Sequence, residues 1–260
     1  MGRALLVCRK DLKIFFVSSW FYWVLVSFSC LSAFIFFNLF GSFNSVLNDY
    51  LAMPVKNPLQ APNLNSGLVE PYYQSILVLM IFLIPFISMR SFTREKYQKT
   101  IDLLLLSPLT FFEFYLGKFL AYSLISIIFI IIASLFPFLL CVIASPEVLP
   151  ILTGFLGMCL AVIAMQSIGI LVSALSKEEV MAGMVTLIVL FIFYIIHSPA
   201  QGLGDSTTSI LRSLSLMWQA NEFVQGVVSL KSLVYFLSII VLSSIFTCSY
   251  LKKEYFVGRS

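Results

Sequence analysis

Charge is what this sequence has least of. Asp, Glu, Lys and Arg make up 11% of its 260 residues, where a soluble domain carries about 25%. Histidine occurs once, at His197, and the five cysteines (Cys8, Cys30, Cys141, Cys159 and Cys248) contain no C-x-x-C pair. One histidine cannot build a typical zinc site. Cysteines scattered through apolar runs read as small hydrophobic filler rather than a disulfide framework, and His197 as a simple interfacial residue. The sequence has no G-x-S-x-G, no H-E-x-x-H and no G-x-x-x-x-G-K-[ST]; "LGKF" at 116–119 fails the last pattern. Nothing in it is built to cradle a triphosphate, activate a serine or hold a catalytic zinc. The chain is therefore not expected to be an enzyme, and no metal, cofactor or nucleic acid is expected on it.

What is present is apolar. Hydrophobic residues make up 60% and mean hydropathy is +1.01. A spanning helix needs about 20 apolar residues to cross a hydrocarbon core about 30 Å thick. Six such runs are predicted, at roughly 18–40, 72–89, 114–143, 151–175, 180–197 and 231–250. The expected fold is all-α: a polytopic membrane protein with six transmembrane helices, all of 1–260 forming one transmembrane domain. No Asp, Glu, Lys or Arg stands near the middle of any run. Because intramembrane charges mark ion and proton pathways, an ion-coupled carrier is disfavoured, and energy for transport would come from another subunit. A membrane-embedded enzyme is disfavoured by the same lack of acids and histidines.

The N-terminal "ALLVCRKDLKIFF" mixes apolar and basic positions at helical spacing. Residues 1–17 read as an interfacial helix, with Leu5, Leu6, Ile14 and Phe15 toward lipid and Arg9, Lys10 and Lys13 at the headgroups. The apolar stretch that follows is too long for a signal-peptide core and no A-x-A site ends it, so it reads as retained. Residues 41–71, rich in Asn and Pro, read as an irregular polar loop. Thirteen Lys and Arg residues fall in the N-terminus, the 90–118 region, Lys177 and the tail, against three (Lys56, Arg212 and Lys231) in the opposite loops. The positive-inside rule places both termini in the cytoplasm of a multi-pass protein.

Pro85 and Pro137 are expected to kink spans two and three. Gly157 and Ala161, then Gly169 and Ser173, give small-x-x-x-small spacing that permits close packing in span four. In 205–225, Ile210, Leu214, Met217 and Trp218 fall on one helical face. Asp205 or Ser206 would cap that helix, which is expected to pack on the outer membrane surface.

Charge is dense in one place. Arg90 to Asp102 holds four basic residues and two acids between two spans. Tyr97, Ile101, Leu104 and Leu105 share one helical face, and Arg94, Gln98 and Asp102 another. Ser107–Pro108 disfavours continued helix, and Thr110 with Glu113 forms a capping box that starts a new one. The segment reads as a cytoplasmic elbow, offering a charged face to a soluble partner or anchoring the spans to headgroups.

"LIPFISMRSFTREKYQKTIDLLLLSPLTFFEFYLGKFLA" (83–121) and "SLMWQANEFVQGVVSLKSLVYFLS" (215–238) resemble type 2 ABC exporter permeases (the ABC-2 membrane family), most closely the gliding-motility (GldF-like) group. Lys99 stands where that family usually has glycine, and Asp102 where it has glutamate. The resemblance implies a permease subunit of a bacterial inner-membrane exporter. It would work as a homodimer or heterodimer, with ATP and Mg bound by a separate ABC ATPase subunit. It makes 94–108 a coupling helix, with Arg94, Glu95, Thr100, Asp102, Ser107 and Pro108 as ATPase-coupling residues. Glu95 would pair with a basic residue on the N-terminal helix or on the ATPase, and Glu95→Ala would leave insertion near normal while uncoupling that ATPase. The alternative is a non-transporting subunit that passes ATPase motion to an extracytoplasmic auxiliary partner. Whichever holds, the purified chain alone is expected to hydrolyse no ATP in a phosphate-release assay; turnover free of any partner would refute this.

Overall fold

The computed structural model describes residues 2–53, 62–98, 110–143, 148–196 and 213–257. These are helical, with no strand among them. In order they form α1 (Gly2–Val17), α2 (Ser19–Ala52), α3 (Glu70–Ser88, led in by the π-helical turn Asn65–Val69), α4 (Thr93–Tyr97), α5 (Phe111–Ile143), α6 (Val148–Leu175), α7 (Glu179–Ile195), α8 (Leu216–Val224) and α9 (Leu230–Val257). Five helical stretches are long and apolar enough to cross a membrane; Glu179–Ile195 is apolar but has only 17 residues.

The axis of the bundle is α6, which packs against α3, α5, α7, α8 and α9. Its residues are buried without interruption from Ala164 to Ile170. A helix buried all round carries no amphipathic stripe, and its close neighbours require small side chains. A Cβ on Gly157 would stand 2.3 Å from the Phe223 Cβ on α8. On Gly169 it would stand 2.4 Å from Ser88 Oγ on α3 and 3.3 Å from Thr186 on α7. The small-residue pattern is thus used for packing on three neighbours. Pro85 and Pro137 lie inside α3 and α5, which run on past them.

An aromatic ladder joins α2 to α5. Phe21 and Phe28 meet Phe129 edge-on at 5.9 and 5.3 Å, and Phe36 stacks on Phe136 at 5.1 Å. Such pairs contribute about 0.5–1.5 kcal/mol beyond their area. Tyr72 closes the ladder: its hydroxyl donates to the Ala133 carbonyl at 2.7 Å and pairs with Ser32 Oγ at 2.7 Å.

Two expectations are corrected. First, α2 runs to Ala52, twelve residues beyond the predicted end at 40. Its buried residues Phe21, Phe28, Ser32, Phe36 and Phe43 keep one stripe at steps of four and seven, so the polar residues of 41–52 occupy only its other faces. Phe43 seats against Gly67, where a Cβ would lie 2.8 Å from its ring. Second, Phe15 is buried against Tyr122 (5.2 Å between centroids) rather than turned outward, while Leu5, Leu6 and Ile14 are exposed. In 205–225 the described part of the expected face lies outward. Leu214 and Trp218 are exposed, while Leu216, Gln219, Ala220, Phe223 and Val224 are buried against the bundle. The cap is Ser215, whose Oγ accepts from the Trp218 N–H at 3.3 Å; Asp205, Ser206 and Ile210 lie outside the described residues, as does His197.

Gly157→Leu is expected to wedge α8 away from α6 at a cost of about 1–3 kcal/mol, seen as earlier thermal unfolding in detergent. Gly41→Ala, with nothing within 4 Å of the added carbon, is expected to leave the midpoint unchanged.

Candidate functional site

At one end of the bundle α1 lies along α5, its buried residues Ala4, Val7, Cys8, Asp11 and Phe15 forming a single face. The approach is close because Gly117 has no side chain: a Cβ there would lie 2.6 Å from the Ala4 carbonyl oxygen and 2.8 Å from Val7 Cβ. One residue on from Gly117, on the second turn of α5, is Lys118. Its side chain is 2% exposed.

A lysine ammonium so far from water needs its charge and its donors satisfied. Here Nζ donates to the Ser91 carbonyl at 2.6 Å and to Asp11 Oδ2 at 3.2 Å, and contacts Glu95 Oε2 at 3.0 Å. The rings of Phe92 and Phe114 flank it at 5.2 and 5.3 Å, within cation–π range. Asp11 and Glu95 are themselves buried. The second anion is balanced by Lys10, whose Nζ donates to Glu95 Oε1 at 3.0 Å and which remains half exposed. Two cations and two anions thus tie three elements: α1 by Lys10 and Asp11, α4 by Glu95, and α5 by Lys118.

The α3–α4 elbow is held from other sides too. Ser173 Oγ on α6 accepts from the Phe92 N–H and donates to the Met89 carbonyl, each at 3.1 Å. The Lys96 ammonium donates to the Ala174 carbonyl at 2.6 Å and lies 5.2 Å from the Tyr250 ring on α9. Arg90 Nε pairs with Glu179 on α7 at 3.2 Å and its guanidinium covers Trp20 at 5.2 Å. Thr93 Oγ1 donates to the Met89 carbonyl. What the elbow leaves outward is Arg94, Tyr97 and Gln98, the i, i+3 and i+4 positions of one helical face; Tyr97 is 83% exposed.

The start of α5 is built as expected. The Thr110 N–H and hydroxyl donate to Glu113 at 3.1 and 3.0 Å, and the Glu113 N–H donates back to Thr110 Oγ1 at 3.2 Å. This reciprocal pairing satisfies two orphan groups of the helix terminus.

The protein-family model described as ABC-2 family transporter protein matches residues 50–250. The chain belongs to that family. No curated protein matches it significantly. As an ABC-2 transporter chain it is a membrane transport component, and the family implies an ABC ATPase subunit as partner.

Of the site residues expected from sequence, the structure leaves Arg94 exposed and buries Glu95 on one short helix. Thr100, Asp102, Ser107 and Pro108 lie outside the described residues, as do Ile101, Leu104 and Leu105. Tyr97 shares the exposed face of Arg94 and Gln98. Pairing of Glu95 with the N-terminal helix is observed, at Lys10. Asp11 and Lys118 were not foreseen as site residues. Their signal was present: an acid inside a basic helix, and a lysine after the one glycine where α1 could approach.

At the opposite end, Glu222 accepts from the hydroxyls of Ser229 and Ser232. Those bonds hold its carboxyl below the usual carboxylate range, with Lys231 adding to the effect. This contribution is complete above the ordinary carboxylate pKa and is lost as pH falls through the lowered one.

The burial of Glu95 changes what its loss should do. Breaking a buried pair by removing one partner costs about 3–5 kcal/mol, so Glu95→Ala and Lys118→Met are each expected to lower thermal stability and expression. Removing all the trapped charge, as in Asp11→Asn/Glu95→Gln/Lys118→Met, is expected to recover most of the loss. A Lys118→Met protein that melts like the parent would show that the ammonium is not enclosed.

Proposed function

We propose that the chain is the permease subunit of a bacterial ABC exporter of the gliding-motility type, resident in the inner membrane. Two permease copies enclose the pathway, and a separate ATPase subunit, which binds ATP and Mg, docks on the elbow formed by α4 and the residues that follow. The apolar α7 is the sixth span. Its 17 residues rise about 25 Å, at the lower limit for crossing. Six spans return both termini to one side, and the thirteen-to-three distribution of basic residues makes that side the cytoplasm.

The observation that carries this reading is the two-sidedness of α4. Its outward face offers Arg94, Tyr97 and Gln98, while its inward face is locked through Glu95 and Lys118 to α1 and α5. A push on the outer face therefore moves the elbow with α1 and the start of a spanning helix, since sliding between them would separate buried charges. That is the mechanical requirement for passing ATPase closure into the membrane. The network also ties in α1, so α1 moves as part of the coupling assembly.

The test uses single cysteines in an otherwise cysteine-free protein. A cysteine at Asn48 is expected to react with an impermeant thiol reagent applied outside intact cells, and one at Gln98 to react only after permeabilisation. A cysteine at Tyr97 is expected to cross-link to a co-expressed ATPase subunit. External labelling at Gln98 would overturn the topology; absence of the cross-link in a complex that co-purifies would overturn the docking site.

A further inference from the structure

The charged end of the bundle carries two hollows. One, of 430 Å³, is walled by the Lys10–Glu95–Lys118 network together with Arg90, Arg94 and Trp20. The other, of 1070 Å³, adjoins it, sharing Lys10, Arg90 and Arg94 and adding Arg9 and Lys13. Lys10, Lys118 and Arg90 have their counter-ions in Glu95, Asp11 and Glu179. Arg9, Lys13 and Arg94 have no anion within ion-pair distance among the described residues, and all three are exposed. Arg9 and Lys13 stand one turn apart on α1, where like charges repel. Three uncompensated cations around one concavity form a receptor for an anion.

The shape of the space beyond identifies the anion's carrier. Trp20 also heads a third, apolar groove of 530 Å³ between α2 and α3, lined by Trp23, Phe28, Leu31, Leu79 and Phe86 among others. The groove runs down α2 from Trp20 to Leu31, a rise of about 16 Å. One leaflet of a hydrocarbon core about 30 Å thick has that depth. Trp20 thus lines both the smaller hollow and an apolar furrow as long as one leaflet is deep, and Trp is the residue suited to the boundary between headgroup and hydrocarbon.

We propose that this composite site holds one anionic phospholipid, its phosphate among Arg9, Lys13 and Arg94 and one acyl chain in the α2–α3 furrow. The lipid bridges α1, α2 and α3, so it braces the N-terminal helix from the side opposite α5. Assignment to the cytoplasmic leaflet rests on the topology proposed above; the site itself does not.

The test uses tryptophan quenching. With Trp218→Phe, the remaining tryptophans Trp20 and Trp23 both line the furrow. The protein is reconstituted in phosphatidylcholine vesicles containing either phosphatidylglycerol or phosphatidylcholine with brominated acyl chains. Brominated phosphatidylglycerol is expected to quench at a several-fold lower mole fraction. Arg9→Gln/Lys13→Gln/Arg94→Gln is expected to abolish that preference, and Lys13→Gln alone to reduce it should the triple variant fail to fold. Ser27→Phe, which narrows the furrow, is expected to weaken quenching by both lipids. Equal quenching by the two lipids, or a preference that survives the cation changes, would overturn the proposal. So would loss of the preference on adding millimolar inorganic phosphate at constant ionic strength, since the site would then be one for a free anion. The readout concerns lipid alone, so its failure is separable from failure of the ATPase-docking reading.

Discussion

A buried ammonium is the constraint on which this end of the molecule depends. Lys118 sits on the second turn of α5, shielded from water by Phe92 and Phe114. Removing such an ion from water costs several kcal/mol unless its partners are close and well oriented. Those partners come from segments distant in sequence: Asp11 on α1, and Ser91 and Glu95 on the elbow after α3. None of the three can retreat without stranding the charge. Lys10 then neutralises the surplus anion at the edge, where its half-exposed side chain leaves one route to water. The geometry favours placement over net stability, because a well-packed apolar quartet would hold the same elements at no desolvation cost. What charge adds is register: an apolar helix end can slide along its neighbour, and an ion cluster cannot.

The rest of the bundle follows a gradient of burial. Around α6 the helices meet at glycines and serines, and Ser126 Oγ on α5 donates to Gln166 Oε1 on α6 at 3.1 Å. At the periphery, α2 and α9 bury only 17% and 22% of their most apolar windows. Their outer faces carry Trp23, Phe34, Phe37 and Phe246, surface that in water would be a large exposed patch and in lipid has no such penalty. The molecule thus combines a closely packed middle with two flanking helices whose outer faces are bare. The aromatic ladder of Phe21, Phe28 and Phe36 is what fastens α2.

The split role of α4 explains why a five-residue helix suffices. Isolated helices of that length are not stable in water. This one is held by Ser173, Ala174 and Lys118 from neighbouring helices, so its shape is imposed by tertiary contacts. Its outward residues are consequently free to be selected for a partner.

The sequence by itself determined the membrane class, the approximate position of the apolar helices, the charged elbow, and the Thr110–Glu113 start of α5. Each is a local property: hydrophobic length, charge density, or a side chain reaching three residues along its own helix. Tertiary structure alone decided that Glu95 and Arg94, neighbours in sequence and both charged, differ in burial, the first enclosed and the second exposed. It also decided that Asp11 and Lys118, 107 residues apart, are partners. Helical spacing shows which residues share a face but not which face is buried, and for a helix of one turn flanked by loops the hydrophobic pattern is too short to say. In α8, Trp218 is exposed and Gln219 buried. Hydrophobicity ranks Trp218 for the interior, but Gln219 finds Ser213 and Ser232 to bond with, and a satisfied amide can be buried where the geometry supplies its partners.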